Sequence, residues 1–127
     1  MRIISVLCVL LSLTIVLFAG VGDGRWLSRV PQKDAARKNP VASSSDATKA
    51  GERLFRQHCA ECHGESAEGR NGKPDLLHSS NVAEATQGQL YWLLTNGSLK
   101  NGMPSWSRLP EQQRWAIVSY LKTLDSQ

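Results

Sequence analysis

The chain has 127 residues, three cysteines and a formal charge of +4, a length that fits one domain. Its charge is uneven: residues 1–45 hold six basic and two acidic side chains, whereas 46–127 hold nine of each. The basic balance therefore belongs to the N-terminal third. The remainder has no basic stripe with interleaved aromatics, which argues against a nucleic-acid partner.

Met1-Arg2 precede an apolar run over residues 3–21, broken only by Ser5, Cys8, Ser12, Thr14 and Gly20. Its 19 residues fall between the length of a signal-peptide core and that of a spanning helix. Cleavage after Ala19 would place the bulky Leu17 at the third position before the cut, and Gly20-Val21-Gly22 is a better site. The expectation is a signal anchor or signal peptide over 1–21, with length favouring an uncleaved membrane anchor. The five basic residues that follow pull the other way by the positive-inside rule. Cys8 is read as an ordinary apolar-segment residue, because Leu7 stands where lipoprotein acylation calls for a small one.

Residues 22–45 carry Gly22, Gly24, Pro31, Pro40 and Ser43-Ser44-Ser45 with little periodicity, and are expected to be a flexible linker. A helix is predicted over 46–59, capped by Asp46 or Ser45, with Ala47, Ala50, Gly51, Leu54, Phe55, His58 and Cys59 on one face.

At its end stands Cys59-Ala60-Glu61-Cys62-His63. Cys-x-x-Cys-His is the attachment signature of c-type haem. Two thiols can form thioethers with the two haem vinyls, and the adjacent His63 can give the iron an imidazole nitrogen. A dithiol redox site needs no such histidine and would sit in a βαβ pattern, and a structural zinc site needs four ligands. A haem would also supply apolar surface to a region, 46–127, of only 82 residues.

Gly64, Gly69, Asn71, Gly72 and Pro74 then read as loop. A second helix is predicted over 87–96, opened by a Thr86/Gln89 capping box and stopped at Asn96-Gly97. A last one is predicted over 110–124, with Trp115, Ile117, Val118, Tyr120, Leu121 and Leu124 apolar. No segment alternates with period two, so the class is all-α. For the second axial ligand, a thioether or imidazole is expected. Met103, in the loop Asn101-Gly102-Met103-Pro104, is the only methionine besides Met1. His78 is its competitor, and would give a bis-imidazole iron of lower potential. His58 precedes Cys59 on the same helix and is poorly placed to reach over a haem.

With a haem motif after an N-terminal helix, a downstream methionine and a closing helix, residues 46–127 resemble a class I cytochrome c. The resemblance implies a fold of three or more helices around one covalent haem c. It implies a crossing of first and last helices through Gly51, Phe55, Ile117 and Tyr120. It also implies a proline carbonyl, that of Pro74, accepting a hydrogen bond from the ligating His63, with Leu76 against the haem. Lys73 departs from the glycine usual before that proline. Trp106 is placed on the haem or toward a propionate, with core packing as its other reading. The stretches Gly102–Trp106 and Arg114–Leu121 are similar to the cytochrome c subunit domain of cbb-type oxidases.

The implied role is a one-electron carrier between redox partner proteins, a carrier rather than an enzyme, on the periplasmic side of a bacterial inner membrane. Two further readings stand beside it: an electron-entry subunit of a larger dehydrogenase or oxidase, and a gas-binding or peroxidatic protein with a labile Met103.

Overall fold

Ser44 starts the longest helix because its hydroxyl accepts from the backbone N–H of Ala47 at 3.1 Å. The computed structural model describes residues 24–124. In chain order it has a 3-10 turn Leu27–Arg29, α1 (Gln32–Ala35), α2 (Ser45–His58), α3 (Ala60–His63), α4 (Ser80–Glu84) and α5 (Gln87–Asn96). A second 3-10 turn, Leu99–Asn101, and α6 (Glu111–Leu121) complete it. No strand occurs among the described residues; the one isolated bridge joins Ser98 and Met103. The expected N-terminal hydrophobic helix of residues 1–21 lies outside the described residues.

α2 and α6 form the most extensive helix pair. They cross where Gly51 has no side chain: a Cβ there would lie 1.9 Å from the Ala116 carbonyl oxygen. One turn on, Phe55 meets Tyr120 with ring centroids 5.3 Å apart. Phe55, Trp115, Ile117 and Val118 are fully buried around this crossing. α6 is buried along almost its whole length from Trp115 on, because α2, α5 and the N-terminal segment each cover part of it.

α5 keeps its predicted bounds, and its capping box forms in both directions: Gln89 N–H donates to Thr86 Oγ1 and Thr86 N–H to Gln89 Oε1. α6 stops at Leu121, three residues short of the expectation. Past its end Lys122 turns its ammonium onto the carbonyls of Val82, Ala83 and Ala85, at 3.4, 2.6 and 3.1 Å. A cation thus satisfies the carbonyls left open at the end of α4.

The reading of 22–45 as a flexible linker is corrected from residue 24 onward. Residues 24–45 form a strap laid across the start of α5 and the outer side of α6. Gly88 brings α5 within backbone contact of α1, since a Cβ there would lie 2.2 Å from the Asp34 carbonyl oxygen. Thr86 donates through its hydroxyl to the Ala35 carbonyl at 2.7 Å. Arg37 lies 4.5 Å from the Tyr91 ring centroid and 5.3 Å from that of Trp115, which stack on each other, and it pairs with Glu111 at 2.8 Å. Val30 is buried, and Trp26, Leu27 and Val41 pack on the core. The glycines, prolines and serines that suggested slack instead shape a closely fitted path, and few apolar anchors suffice because the polar ones are so specific.

Asn39 is the clearest of these. Its amide nitrogen is 2.7 Å from Gln87 Oε1, 2.9 Å from Ser119 Oγ and 3.2 Å from the Trp115 carbonyl, while its carbonyl oxygen accepts from Val41 N–H at 2.9 Å. Two amide hydrogens thus serve three acceptors on two helices. Asn39→Ala is expected to cost about 1–3 kcal/mol, because it leaves half-buried acceptors without donors. Thermal unfolding of the holoprotein checks this, with an expected fall of several degrees in Tm; an unchanged Tm would mean that the strap adds nothing.

Candidate haem site

The final turn of α2 and the single turn of α3 place the attachment residues. Cys62 N–H and His63 N–H both donate to the Cys59 carbonyl, at 3.1 and 2.9 Å. This helical winding holds Cys59, Cys62 and His63 in one short turn, which is why the spacing matters. Cys59 is half-buried and Cys62 exposed, and neither is in a disulfide. Burial, with a smaller contribution from Cys62, pushes the Cys59 thiol up to about 12.

α3 ends on Gly64, whose φ of 85° turns the chain away. The following loop closes on Ala67, which is fully buried at a φ of 63°. Its carbonyl accepts from Leu76 and Leu77 N–H at 2.8 and 3.0 Å, and Gly69 N–H returns to the His63 carbonyl at 2.6 Å. A tight turn with Asn71 and Gly72 at φ 48° and 77° then leads through Lys73 into Pro74. The result is one contact: His63 Nδ1 lies 3.0 Å from the Pro74 carbonyl oxygen. A carbonyl can only accept, so Nδ1 carries the proton and Nε2 keeps its lone pair. Asn71-Gly72 supplies the sharp bend, so Lys73 is tolerated where glycine is usual. Ala67 was not singled out from sequence; its left-handed φ has no signature when the residue is alanine.

Met103 lies in a two-bond clasp. Ser98 N–H donates to the Met103 carbonyl at 2.9 Å and Met103 N–H to the Ser98 carbonyl at 3.1 Å, with Gly102 between them at φ 77°. The loop is then sewn to the end of α5, Trp106 N–H donating to the Leu94 carbonyl at 2.8 Å and Ser105 Oγ to the Thr95 carbonyl at 2.5 Å. Trp106 itself stands between Arg108, 4.3 Å from its ring centroid, and His58, with centroids 5.3 Å apart. The contact with His58 brings the Met103 loop against the helix that carries Cys59. Cys59, Leu76, Met103 and Trp106 are all half-buried apolar groups packed against the core, the surface that an apolar macrocycle would cover. Two thiols, one imidazole with a free nitrogen and one thioether therefore fit a covalent haem.

His78 is taken elsewhere. Its side chain is 75% exposed, and its Nδ1 sits 2.8 Å from Asp75 Oδ2 while its backbone N–H donates to Asp75 Oδ1 at 3.0 Å. Those hydrogen bonds hold the Asp75 carboxyl below the usual carboxylate range. His58, the last residue of α2, faces Trp106.

The helical frame and this site define a class I c-type cytochrome. The sequence pattern of the family described as cytochrome C oxidase, cbb3-type, subunit III matches residues 46–121. That is more than half of the chain, and the chain belongs to this family. Among its relatives is the cbb3-type cytochrome c oxidase subunit CcoP of Rhodobacter capsulatus, 37% identical over 90 residues that cover 59% of this chain and 28% of the relative. The corresponding CcoP of Rubrivivax gelatinosus is 34% identical over 64 residues, 50% of this chain and 21% of the relative. The chain thus spans about a quarter of the length of these relatives. The crystal structure of cytochrome cL from Methylophaga aminisulfidivorans superposes with a TM-score of 0.57 at 25% identity, covering 66% of this chain and 57% of that one. The prosthetic group is covalently bound haem c.

Proposed function

We propose that this protein is a monohaem one-electron carrier of a periplasmic or membrane-associated electron-transfer chain. In this reading His63 and Met103 are the axial ligands, and residues 1–21 are an uncleaved anchor holding the domain on the periplasmic side of the inner membrane. The observation that carries it is the 3.0 Å contact of His63 Nδ1 with the Pro74 carbonyl, which fixes the tautomer and presents Nε2. Bound haem would supply the Fe³⁺/Fe²⁺ couple, and a thioether from Met103 beside the His63 imidazole would raise its potential relative to two imidazoles.

The polypeptide's part is to hold still. The Ser98–Met103 clasp and the bonds from Ser105 and Trp106 to α5 would hold the loop in place while an electron enters or leaves. The ring of Trp106 and the side chain of Leu76, both packed against the core, would shield a bound haem from water. With His63 and Met103 both holding the iron, the site would leave no position for substrate and would serve a carrier. The relatives are named as oxidase subunits, and this supports a second reading, an electron-entry subunit of a larger complex that uses the same site.

Optical spectra of the ferric and ferrous protein, the latter with and without carbon monoxide, test the proposal. A low-spin ferrous spectrum indifferent to carbon monoxide is expected. Ready carbon monoxide binding would replace the carrier with a gas-binding or peroxidatic protein.

A further inference from the structure

The strap ends, at its N-terminal side, on a definite place in the fold. A Cβ on Gly24 would lie 2.5 Å from Asn81 Oδ1, so the chain enters the domain directly against α4. Trp26 and Leu27, immediately after, pack on the core. Upstream, the apolar run of residues 3–21 ends at Val21, and only Gly22 and Asp23 intervene. Three residue steps, fully extended, reach roughly 11 Å. A domain joined to a membrane segment over that reach must keep its Gly24 end within roughly 11 Å of the end of the segment.

We propose that the α4 end of the domain, together with the start of the strap, is a membrane-facing surface held against the bilayer, and that the Met103 loop is turned toward the aqueous side. This rests on the reading of residues 1–21 as an uncleaved anchor. Two independent observations support it.

The first is topological. The start of the strap meets α4 at Asn81, and α4 leads through Ala85 directly into Thr86 at the N-terminal end of α5. The Met103 clasp is tied to its C-terminal end, through Leu94 and Thr95. The ten residues of α5 separate these ends by about 15 Å, so the end that is tethered and the end that carries the ligand loop are different ends of the molecule.

The second is electrostatic. Between 24 and 45 the strap holds Arg25, Arg29, Lys33 and Lys38, besides the Glu111-paired Arg37, against the single acid Asp34. Arg29 and Lys33 are exposed. Such a juxtamembrane basic segment is drawn to anionic headgroups at about 1 kcal/mol per charge near the surface. The occupant of this face is therefore an anionic lipid surface.

The test uses the full-length holoprotein with Cys8→Ser, reduced so that low-spin iron is diamagnetic. Nitroxides are placed on Glu84→Cys, in α4, or on Lys100→Cys, past the end of α5. The protein is reconstituted in vesicles of phosphatidylethanolamine and phosphatidylglycerol doped with a nickel-chelating headgroup lipid. Relaxation enhancement of the nitroxide by nickel is expected to be several-fold greater at 84 than at 100. A Gly/Ser insert of about 20 residues after Asp23 should remove that difference while the protein still floats with the vesicles. Equal enhancement at the two positions, or a larger one at 100, in protein that floats would overturn the fixed orientation and leave the anchor standing. Protein that does not float with the vesicles would overturn the anchor reading, and the orientation with it.

Discussion

Met103→Ala is expected to give a ferrous protein that binds carbon monoxide and has a lower reduction potential, while the fold survives. The backbone of the loop does not depend on the methionine side chain. Ser98 pairs with residue 103 through main-chain groups on both sides, and Ser105 and Trp106 anchor the loop to α5. Removing the thioether therefore opens the site without collapsing it. No nearby donor takes its place: His78 is held outward by two hydrogen bonds to Asp75, and His58 sits on α2 against Trp106. Loss of a soft ligand that favours the ferrous state lowers the potential. Redox titration and carbon monoxide difference spectra of the variant check both effects. An unchanged spectrum that ignores carbon monoxide would remove Met103 from the iron.

Gly51→Leu is expected to prevent accumulation of folded holoprotein. The Cβ alone would lie 1.9 Å from the Ala116 carbonyl oxygen and 3.0 Å from the Ile117 nitrogen, which are backbone atoms of a buried helix. A backbone cannot rotate out of the way as a side chain can, so α2 and α6 must part. Parting them uncovers Phe55, Ile117 and Tyr120, and it disturbs the end of α2 that leads into Cys59. Overpacking of a core usually costs about 1–3 kcal/mol. A clash with backbone at the largest helix contact belongs at or beyond the top of that range. Leucine's better helix propensity returns only about 1 kcal/mol. Against a total stability of about 5–15 kcal/mol, and in a domain that must fold around its cofactor, that loss is large. Haem-stained gels and thermal unfolding of any recovered protein measure it; a variant that is recovered in full with a normal Tm would show that the crossing tolerates separation.

The site was legible in the sequence because its chemistry is local. Cys59, Cys62 and His63 lie within one helical turn, and their roles follow from side-chain type and spacing. The Thr86/Gln89 box and the Asn96-Gly97 stop sit at the two ends of α5 for the same reason: capping involves atoms three or four residues apart. Pro74 came from the resemblance, and its contact with His63 spans 11 residues through a loop whose path depends on Ala67 accepting two backbone hydrogen bonds. Nothing about an alanine announces that. α4 was missed because five residues between Ser79 and Ala85 carry no periodic signal, and Lys122, which completes it, lies 37 or more residues away.

The strap shows the division most clearly. Composition alone spoke for slack over 22–45, since glycine, proline and serine are the residues of loops. They are equally the residues of an irregular path pressed onto a surface, and only the surface distinguishes the two. Asn39 has no role until Gln87, Ser119 and the Trp115 carbonyl are brought around it, and Arg37 has none until Tyr91 and Trp115 stack beneath it. By itself the sequence determined what is short-ranged: the helical class, the haem-binding turn, the caps of α5 and the apolar run at the start, whereas the N-cap of α2 is Ser44 and not the expected Asp46 or Ser45. The tertiary structure alone decided by what loop path the Pro74 carbonyl reaches His63, how the Met103 loop is clasped, and that residues 24–45 belong to the folded unit. Those outcomes depend on groups far apart in the chain, whose encounter is fixed by packing rather than by the residues between them.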